Sequence, residues 1–261
     1  MERWLSGRKH VPAKDAYLCG YRGFESLSFR SIFLKMEGFI RYLVVLSLLS
    51  LCLLFTFPQQ VTQVDLFLHY FFQKEIFSLF SLFSHLAYYP LICFFSVLFL
   101  SFFLKSWKKK RRTLSLLSVA SLLHFIFNIG LFGYWICKRY IARPRPLQIS
   151  SSKGELSYLP LSELFSLPVL PSNPHDSFPS GHTMVAFFFL LFPFLKKYDP
   201  LPLFSSRLFF SLSLLFGCSV AVGRVALREH FFSDVLFSWI WMTLSPLWID
   251  RLLFLTYWRK V

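Results

Sequence analysis

The feature that most constrains this chain is a series of long apolar runs, each about long enough to cross a lipid bilayer. The runs are roughly 15 to 25 residues long, and about 20 helical residues span a hydrocarbon core. Hydrophobic residues make up 55% of the 261 positions, and the ten glycines are few for a soluble domain with many turns. The sequence therefore predicts an all-α, polytopic membrane protein.

Six apolar runs predict a bundle of six transmembrane helices. Between the first two, residues 64–83 mix charged side chains with many aromatic ones. This segment predicts an amphipathic helix in the membrane interface, although an interrupted part of the second span is the alternative. The predicted spans cover about 39–57, 86–104, 113–137, 181–195, 208–222 and 235–249.

Basic residues give the chain a formal net charge of +15, and they lie mainly at the ends of the apolar runs. This placement favours membrane lipids over nucleic acid as the partner. The densest group, at 105–112, predicts a cytoplasmic loop, with an anionic-lipid site as the alternative. We therefore expect a multi-pass protein of the cytoplasmic (inner) membrane with both termini in the cytoplasm. The loops 58–88, 138–182 and 223–234 then lie outside.

Residues 1–35 differ from the rest of the chain because they are polar and basic and show no apolar periodicity. They lack the apolar core of a secretory signal. Residues 23–26 can be encoded by a frame through GGTTCGAATCC, a transfer RNA arm, and residues 2–7 by the start of a serine-type transfer RNA gene. We predict a non-native or disordered extension before a domain at 36–261, with Met36 as the true start. An ordinary disordered tail is the alternative.

Positive charge on the predicted outer side is an exception to the orientation rule and calls for an anionic ligand. The first such stretch is 138–146, which contains Lys138 and Arg145. Pro144 and Pro146 prevent the helix from continuing, so the chain leaves the third span in an extended form. Arginine offers a planar fork that matches phosphate oxygens, and lysine offers a compact charge. Stop-transfer charge explains this stretch alone about as well.

The second stretch, 177–183, enters the fourth predicted span with the order Ser180, Gly181, His182. Glycine lets the backbone approach a ligand, and unpaired N–H groups at a helix start attract anions. His182 would then lie beside the anion, where a proton donor to a leaving oxygen is useful. A simple helix cap by Ser180 with an incidental histidine is the alternative.

The third stretch, 223–234, leads into the sixth span and contains Arg224, His230 and Asp234. If this stretch is helical, His230 and Asp234 lie on one face, four residues apart. The carboxylate could then hold one imidazole nitrogen as N–H and free the other as a nucleophile. A structural hydrogen bond is the alternative, but all three stretches fall on the same predicted side.

The three stretches resemble the motifs of the type 2 phosphatidic acid phosphatase superfamily, Lys-x6-Arg-Pro, Pro-Ser-Gly-His and Ser-Arg-x5-His-x3-Asp. They match it in order and spacing. The resemblance covers about 39–249, including the six-span layout, and implies that His230 attacks phosphorus with Asp234 orienting it. It implies that His182 protonates the leaving oxygen. Phosphate-binding groups would be Lys138, Arg145, Arg224, Ser180 and Gly181, with no cofactor and no metal.

One position departs from this pattern. Gly223 stands where the family has serine, so one hydroxyl contact to phosphate is missing. Phosphate binding would be weaker, unless another group such as Arg143 compensates. Phe232 stands where a proline is common, which we expect to matter little.

The resemblance implies a phospholipid or isoprenoid (pyro)phosphate as substrate, and hydrolysis through a phosphohistidine at the outer membrane face. Residues 161–168 and 175–177 look similar to bacterial enzymes acting on lipid A. A lipid-to-lipid phosphotransferase is therefore an alternative, while undecaprenyl pyrophosphate and phosphatidylglycerophosphate remain equal candidates as substrates. The sequence does not identify the oligomeric state.

Three other classes compete with this interpretation. A zinc hydrolase could use His175, Asp176, His182, His230 and Asp234, but the nearby cations would repel the metal. The five cysteines show no CxxC spacing and predict neither a disulfide nor a metal framework. A vanadate-dependent haloperoxidase shares the motifs but is soluble. An anion transporter is disfavoured because no predicted span carries a central charge.

Overall fold

The computed structural model describes residues 38–72, 104, 119–141, 143–151, 157–164, 176–191, 194 and 206–257. The chain divides into two compact units, Met1–Arg41 and Tyr42–Val261, and all predicted site residues belong to the second. Of the first unit, residues 38–41 are described, and they are helical. The predicted extension at 1–35 lies outside the described residues.

The described part of the chain is helical throughout and contains no strand, in agreement with the predicted all-α class. Helix α3 has a π-helical section at Phe125–Cys137, and short 3₁₀ turns lie at Leu161–Glu163 and Phe188–Leu190. The helices are α1 (Gly38–Thr56), α2 (Pro58–Phe71), α3 (Val119–Tyr140), α4 (Pro146–Ser151), α5 (Gly181–Ala186), α6 (Ser206–Ala226) and α7 (Phe232–Tyr257).

One described helix, α3, is long and apolar enough to cross a membrane. Helices α1 and α2 meet at a 95° bend and would count as a second span only if the bent pair were one broken span. Most of the second predicted span, 86–103, lies outside the described residues. The six-span bundle therefore remains a prediction.

The bend between α1 and α2 has a local cause. Phe57 adopts a non-helical backbone (φ −122°, ψ 56°), and Pro58 opens α2, where its missing N–H costs no hydrogen bond. Helix α2 then packs against α6 and α7. The sequence predicted an amphipathic interfacial helix at 64–83. The observed helix α2 begins earlier, at Pro58, and Asp65 on it is buried. Residues 73–83 lie outside the described part.

Helix α5 packs between α3, α6 and α7, and two glycines allow this close approach. A Cβ atom at Gly217 of α6 would lie 2.2 Å from the ring of Phe187. A Cβ atom at Gly133 of α3 would lie 2.8 Å from the sulfur of Met184. Because these side chains fill the space over the glycines, the start of α5 is fixed next to the end of α3.

Candidate active site

Three predicted cations from separate parts of the chain meet in one group, which we call the cation cluster: Lys138, Arg145 and Arg224. Asp176 and Glu229 join them. The Lys138 Nζ donates to the Asp176 carbonyl at 2.8 Å, and the Arg145 Nε donates to Asp176 Oδ1 at 2.8 Å. The Glu229 Oε2 accepts from Arg145 Nη1 at 3.0 Å and also from Arg224 Nη2.

The two carboxylates of the cation cluster are partly exposed. The side chains of Asp176 and Glu229 are 37% and 22% exposed, whereas that of Arg224 is 2% exposed. Burial alone would raise the pKa of Asp176, but the charges of Lys138 and Arg145 hold it below its usual value. The cluster is thus a group of three cations whose acidic partners are carboxylates of the chain itself.

The start of α5 lies beside the cation cluster. Ser180 caps the helix, since its Oγ accepts from the Thr183 N–H at 3.4 Å and from the Thr183 hydroxyl at 2.9 Å. A Cβ atom at Gly181 would lie 3.9 Å from Lys138 Cε, so this glycine is next to the lysine. His182 follows in the first turn and is half-buried. The structure therefore brings the second predicted stretch to the first.

His230 is buried, and the carbonyl of Ser177 fixes its ring. The His230 Nδ1 lies 2.6 Å from that oxygen. A carbonyl can only accept, so Nδ1 carries the proton and Nε2 holds the lone pair. The predicted helical pairing with Asp234 is corrected at this point. His230 precedes α7, and Asp234 Oδ2 lies 3.9 Å from Nδ1, too far for a hydrogen bond.

Asp234 instead accepts hydrogen bonds from two residues close to His230. Its Oδ2 accepts from the Ser177 hydroxyl at 2.5 Å and from the Phe231 N–H at 2.9 Å. Ser177 thus links the two, because its hydroxyl binds Asp234 while its carbonyl binds His230. Any orienting effect of the carboxylate on the imidazole, as predicted, would therefore act through Ser177.

The electrostatic environment keeps His230 neutral. Burial lowers its pKa well below the usual value, and the charges of Arg224, Lys138 and Arg145 lower it further. A neutral imidazole with a fixed Nδ1–H is the form that can attack an electrophile through Nε2.

Of the two alternatives for Gly223, compensation by Arg143 is not supported, because other groups of the chain bind the Arg143 guanidinium. Its side chain is fully buried, and Nη1 donates to Asp234 Oδ1 at 2.5 Å while Nη2 donates to Asp65 Oδ2 at 3.1 Å. Burial opposes the charged form, but the carboxylates of Asp234 and Asp65 raise the pKa of Arg143. Arg143 therefore forms ion pairs with the buried carboxylates of Asp65 and Asp234.

Within the described ranges, no three His, Cys, Asp or Glu side chains converge in a way that could hold a metal ion. His175, one ligand of the alternative zinc site, lies outside those ranges.

Sequence reasoning missed several residues that shape this site. Asp176 and Glu229 were not expected in the cation cluster, and the Ser177 carbonyl cannot be recognised from side-chain patterns. One feature of the sequence could have indicated Asp65. It is a carboxylate among aromatic residues, on the same predicted side as an additional arginine, Arg143, with which it could pair.

Comparison with known proteins identifies one family. A family model described as the PAP2 superfamily matches residues 121–258. Neither the curated proteins nor the solved structures compared with this chain gave a match. Members of this family are phosphatases, which supports phosphoester hydrolysis in general. The match extends over more than half of the chain and includes every predicted site residue, so the chain belongs to the PAP2 superfamily.

Proposed function

We propose that this protein is a membrane lipid phosphatase that removes phosphate from a lipid phosphate or pyrophosphate through a phosphohistidine. The observation that carries the proposal is the state of His230. Its Nδ1 is fixed by the Ser177 carbonyl at 2.6 Å, which leaves the Nε2 lone pair available. The nearby cation cluster can bind the phosphoryl oxygens and neutralise their charge.

The reaction divides into two steps. The His230 Nε2 attacks phosphorus, the bond from phosphorus to the lipid oxygen breaks, and His182 protonates that oxygen as it leaves. Water then attacks the phosphohistidine, releases inorganic phosphate and restores the imidazole. Lys138, Arg145 and Arg224 stabilise the charge in both steps, which is why we propose that no metal takes part.

A membrane location is supported by the helix that carries the first motif. Helix α3 is long enough to span a bilayer, and Lys138 lies in its last turn. Large apolar side chains are exposed along it, as expected for a surface in contact with lipid: Ile126, Phe127, Leu131 and Trp135. A site at the end of a span can reach a phosphate at headgroup depth.

The remaining features of the proposal rest on the apolar runs and the distribution of basic residues. We propose six spans in the cytoplasmic membrane, both termini in the cytoplasm and the site on the outer face. The substrate would be a phospholipid or an isoprenoid (pyro)phosphate.

The test is phosphate release by the purified full chain in detergent or liposomes. The panel is undecaprenyl pyrophosphate, phosphatidylglycerophosphate, phosphatidic acid and lipid A. We expect release from at least one, loss of it in His230→Ala, and a strong decrease in His182→Ala. His69→Ala is the matched control, because its imidazole contacts Ser150 outside the cation cluster.

Three outcomes would contradict parts of the proposal. Full hydrolysis by His230→Ala would exclude this nucleophile, and inhibition by excess EDTA would exclude a metal-independent reaction. Transfer of labelled phosphate to a second lipid instead of water would show a phosphotransferase. Trapping of labelled phosphate on His230 after acid-free quenching would be the expected positive result.

A further inference from the structure

A buried carboxylate from outside the three motifs, that of Asp65, is linked to the proposed site through Arg143. Asp65 belongs to α2, which precedes the family match at 121–258. Its side chain is fully buried, and a buried carboxylate is costly unless donors surround it. Asp65 receives hydrogen bonds from the Ser233 N–H at 2.8 Å, the Ser233 hydroxyl at 2.5 Å and the Tyr158 hydroxyl at 2.8 Å.

The fourth donor to Asp65 is Arg143, and every N–H of this guanidinium has an acceptor. An arginine side chain has five N–H groups in a rigid fork. Nε donates to the Leu159 carbonyl at 2.9 Å, and Nη2 donates to Asp65 at 3.1 Å and to the Tyr158 hydroxyl at 3.1 Å. Nη1 donates to the Ser233 hydroxyl at 2.8 Å and to Asp234 at 2.5 Å. The orientation of Arg143 is thus fixed on every side.

The guanidinium joins Asp65 to the proposed nucleophile. One edge binds Asp65 and the other binds Asp234, whose second oxygen accepts from the Ser177 hydroxyl at 2.5 Å. The Ser177 carbonyl in turn binds His230. A continuous series of buried hydrogen bonds therefore runs from α2 to the imidazole.

We propose that Asp65 is a positioning residue of the phosphatase site, which acts through Arg143 on Asp234 and Ser177 to hold His230 in its reactive orientation. This inference rests on the proposed function, in which His230 is the nucleophile. Asp65 touches neither the substrate nor the reacting atoms, so it differs in kind from the motif residues.

The physical reason is that both ends of the guanidinium need a buried acceptor. If Asp65 lost its charge, Arg143 would keep one carboxylate, and its Nη2 would compete for Asp234. The bond from Ser177 to Asp234 would then weaken, and the Ser177 carbonyl would lose its fixed position. Residues that orient a metal-binding histidine through hydrogen bonds are typically worth about 10- to 100-fold in activity, and we expect a similar decrease here.

The kinetic test compares Asp65→Asn with the wild type on the panel substrate that the wild type hydrolyses fastest. We expect kcat to fall about 10- to 100-fold while KM and inhibition by vanadate stay within about twofold, because the cation cluster is untouched. Glu163→Gln is the matched control, since it removes one carboxylate charge from an exposed position. Asp65→Glu restores the charge and should regain part of kcat.

A purely structural role would give a different result. In that case, Asp65→Asn would lower the yield or the thermal stability, but kcat per folded molecule would not change, and this would overturn the inference. If Asp65→Asn does not fold, Tyr158→Phe serves instead, because it removes one donor to Asp65 and keeps the ring. The same pattern is expected there, with a smaller decrease in kcat.

A second measurement does not depend on activity. In protein with ¹⁵N-labelled histidine, the Nδ1–H signal of His230, assigned with His230→Ala, should lie far downfield because of its short bond to Ser177. We expect Asp65→Asn to shift or broaden this signal and Glu163→Gln to leave it unchanged. An unchanged signal in Asp65→Asn overturns the inference. A wild type that hydrolyses no substrate contradicts the proposed function separately.

Discussion

Arg143 and Arg145 lie two residues apart on either side of Pro144, yet they have opposite environments. The Arg143 side chain is fully buried, and both of its acidic partners, Asp65 and Asp234, are also fully buried. The Arg145 side chain is 28% exposed, and its partner Asp176 is 37% exposed. In an extended chain, alternate residues point the same way, so their spacing alone does not explain the difference.

The comparison separates two uses of the same side chain. The partners of Arg145 are partly exposed, so in the proposed mechanism an incoming phosphate displaces them. Arg143 cannot be separated from Asp65 and Asp234 without leaving buried charges unpaired, which costs several kcal/mol. In the proposed mechanism, this stretch supplies one arginine that binds the substrate and one that holds the residues around His230 in place.

The largest effect is expected from Arg143→Ala, which leaves two carboxylates buried without their cation. We expect the free energy of unfolding to fall by about 3–5 kcal/mol, as is typical when one partner of a buried ion pair is removed. Thermal unfolding in detergent is the measurement. Unchanged stability would mean that the ion pairs of Arg143 with Asp65 and Asp234 do not stabilise the fold. Arg143 would then not differ from Arg145 in its structural role.

Arg145→Ala should give the opposite pattern. We expect kcat/KM to fall about 10²- to 10³-fold, as for the loss of one group that stabilises transition-state charge, while the melting temperature stays near that of the wild type. A loss of stability as large as that of Arg143→Ala would show that both arginines are needed to stabilise the fold.

The pH dependence of kcat/KM provides a third test. Since burial and the charges of Arg224, Lys138 and Arg145 depress the pKa of His230, its imidazole stays neutral as the pH falls below 6.5. Activity should therefore persist below that pH and be lost only at lower values. Arg145→Gln removes one depressing charge, so the acid limb should move to higher pH. A shift to lower pH would contradict the assignment.

The smallest effect is expected from Glu229→Gln. Its carboxylate shares the cation cluster with the incoming phosphate, so neutralising it should tighten inhibition by vanadate. A partly exposed ion pair is worth about 0.2–1 kcal/mol, which corresponds to at most about fivefold. Inhibition constants measured beside Glu163→Gln would check this. Weaker inhibition would mean that Glu229 positions the arginines and does not compete with phosphate.

The convergence of the cation cluster could be predicted from the sequence, because positive charge on the predicted outer side calls for an anionic ligand. Lys138, Arg145 and Arg224 lie at the ends of separate apolar runs, and the orientation rule alone brings them to one side. The all-helical class followed from the apolar runs, and the described residues agree with it. The number of spans is not decided by the described helices.

The contacts around His230 could not be predicted for two reasons. The group that binds Nδ1 is a backbone carbonyl, which every residue has, so no residue type marks it. The helical spacing of His230 and Asp234 also misled, since α7 begins at Phe232 and His230 lies before it. Asp65 is separated from Ser233 by 168 positions, and no local pattern reports such a contact.

The 95° bend between α1 and α2 makes the motif-bearing segment dependent on the chain that precedes it. Because of that bend, α2 turns to pack against α7 and carries its acidic residue under the guanidinium. A chimaera that grafts residues 121–258 onto an N-terminal half without an acidic residue at the place of Asp65 would keep every motif, yet leave Arg143 with one carboxylate in place of two. The segment that matches the family therefore depends on a helix outside it for this contact.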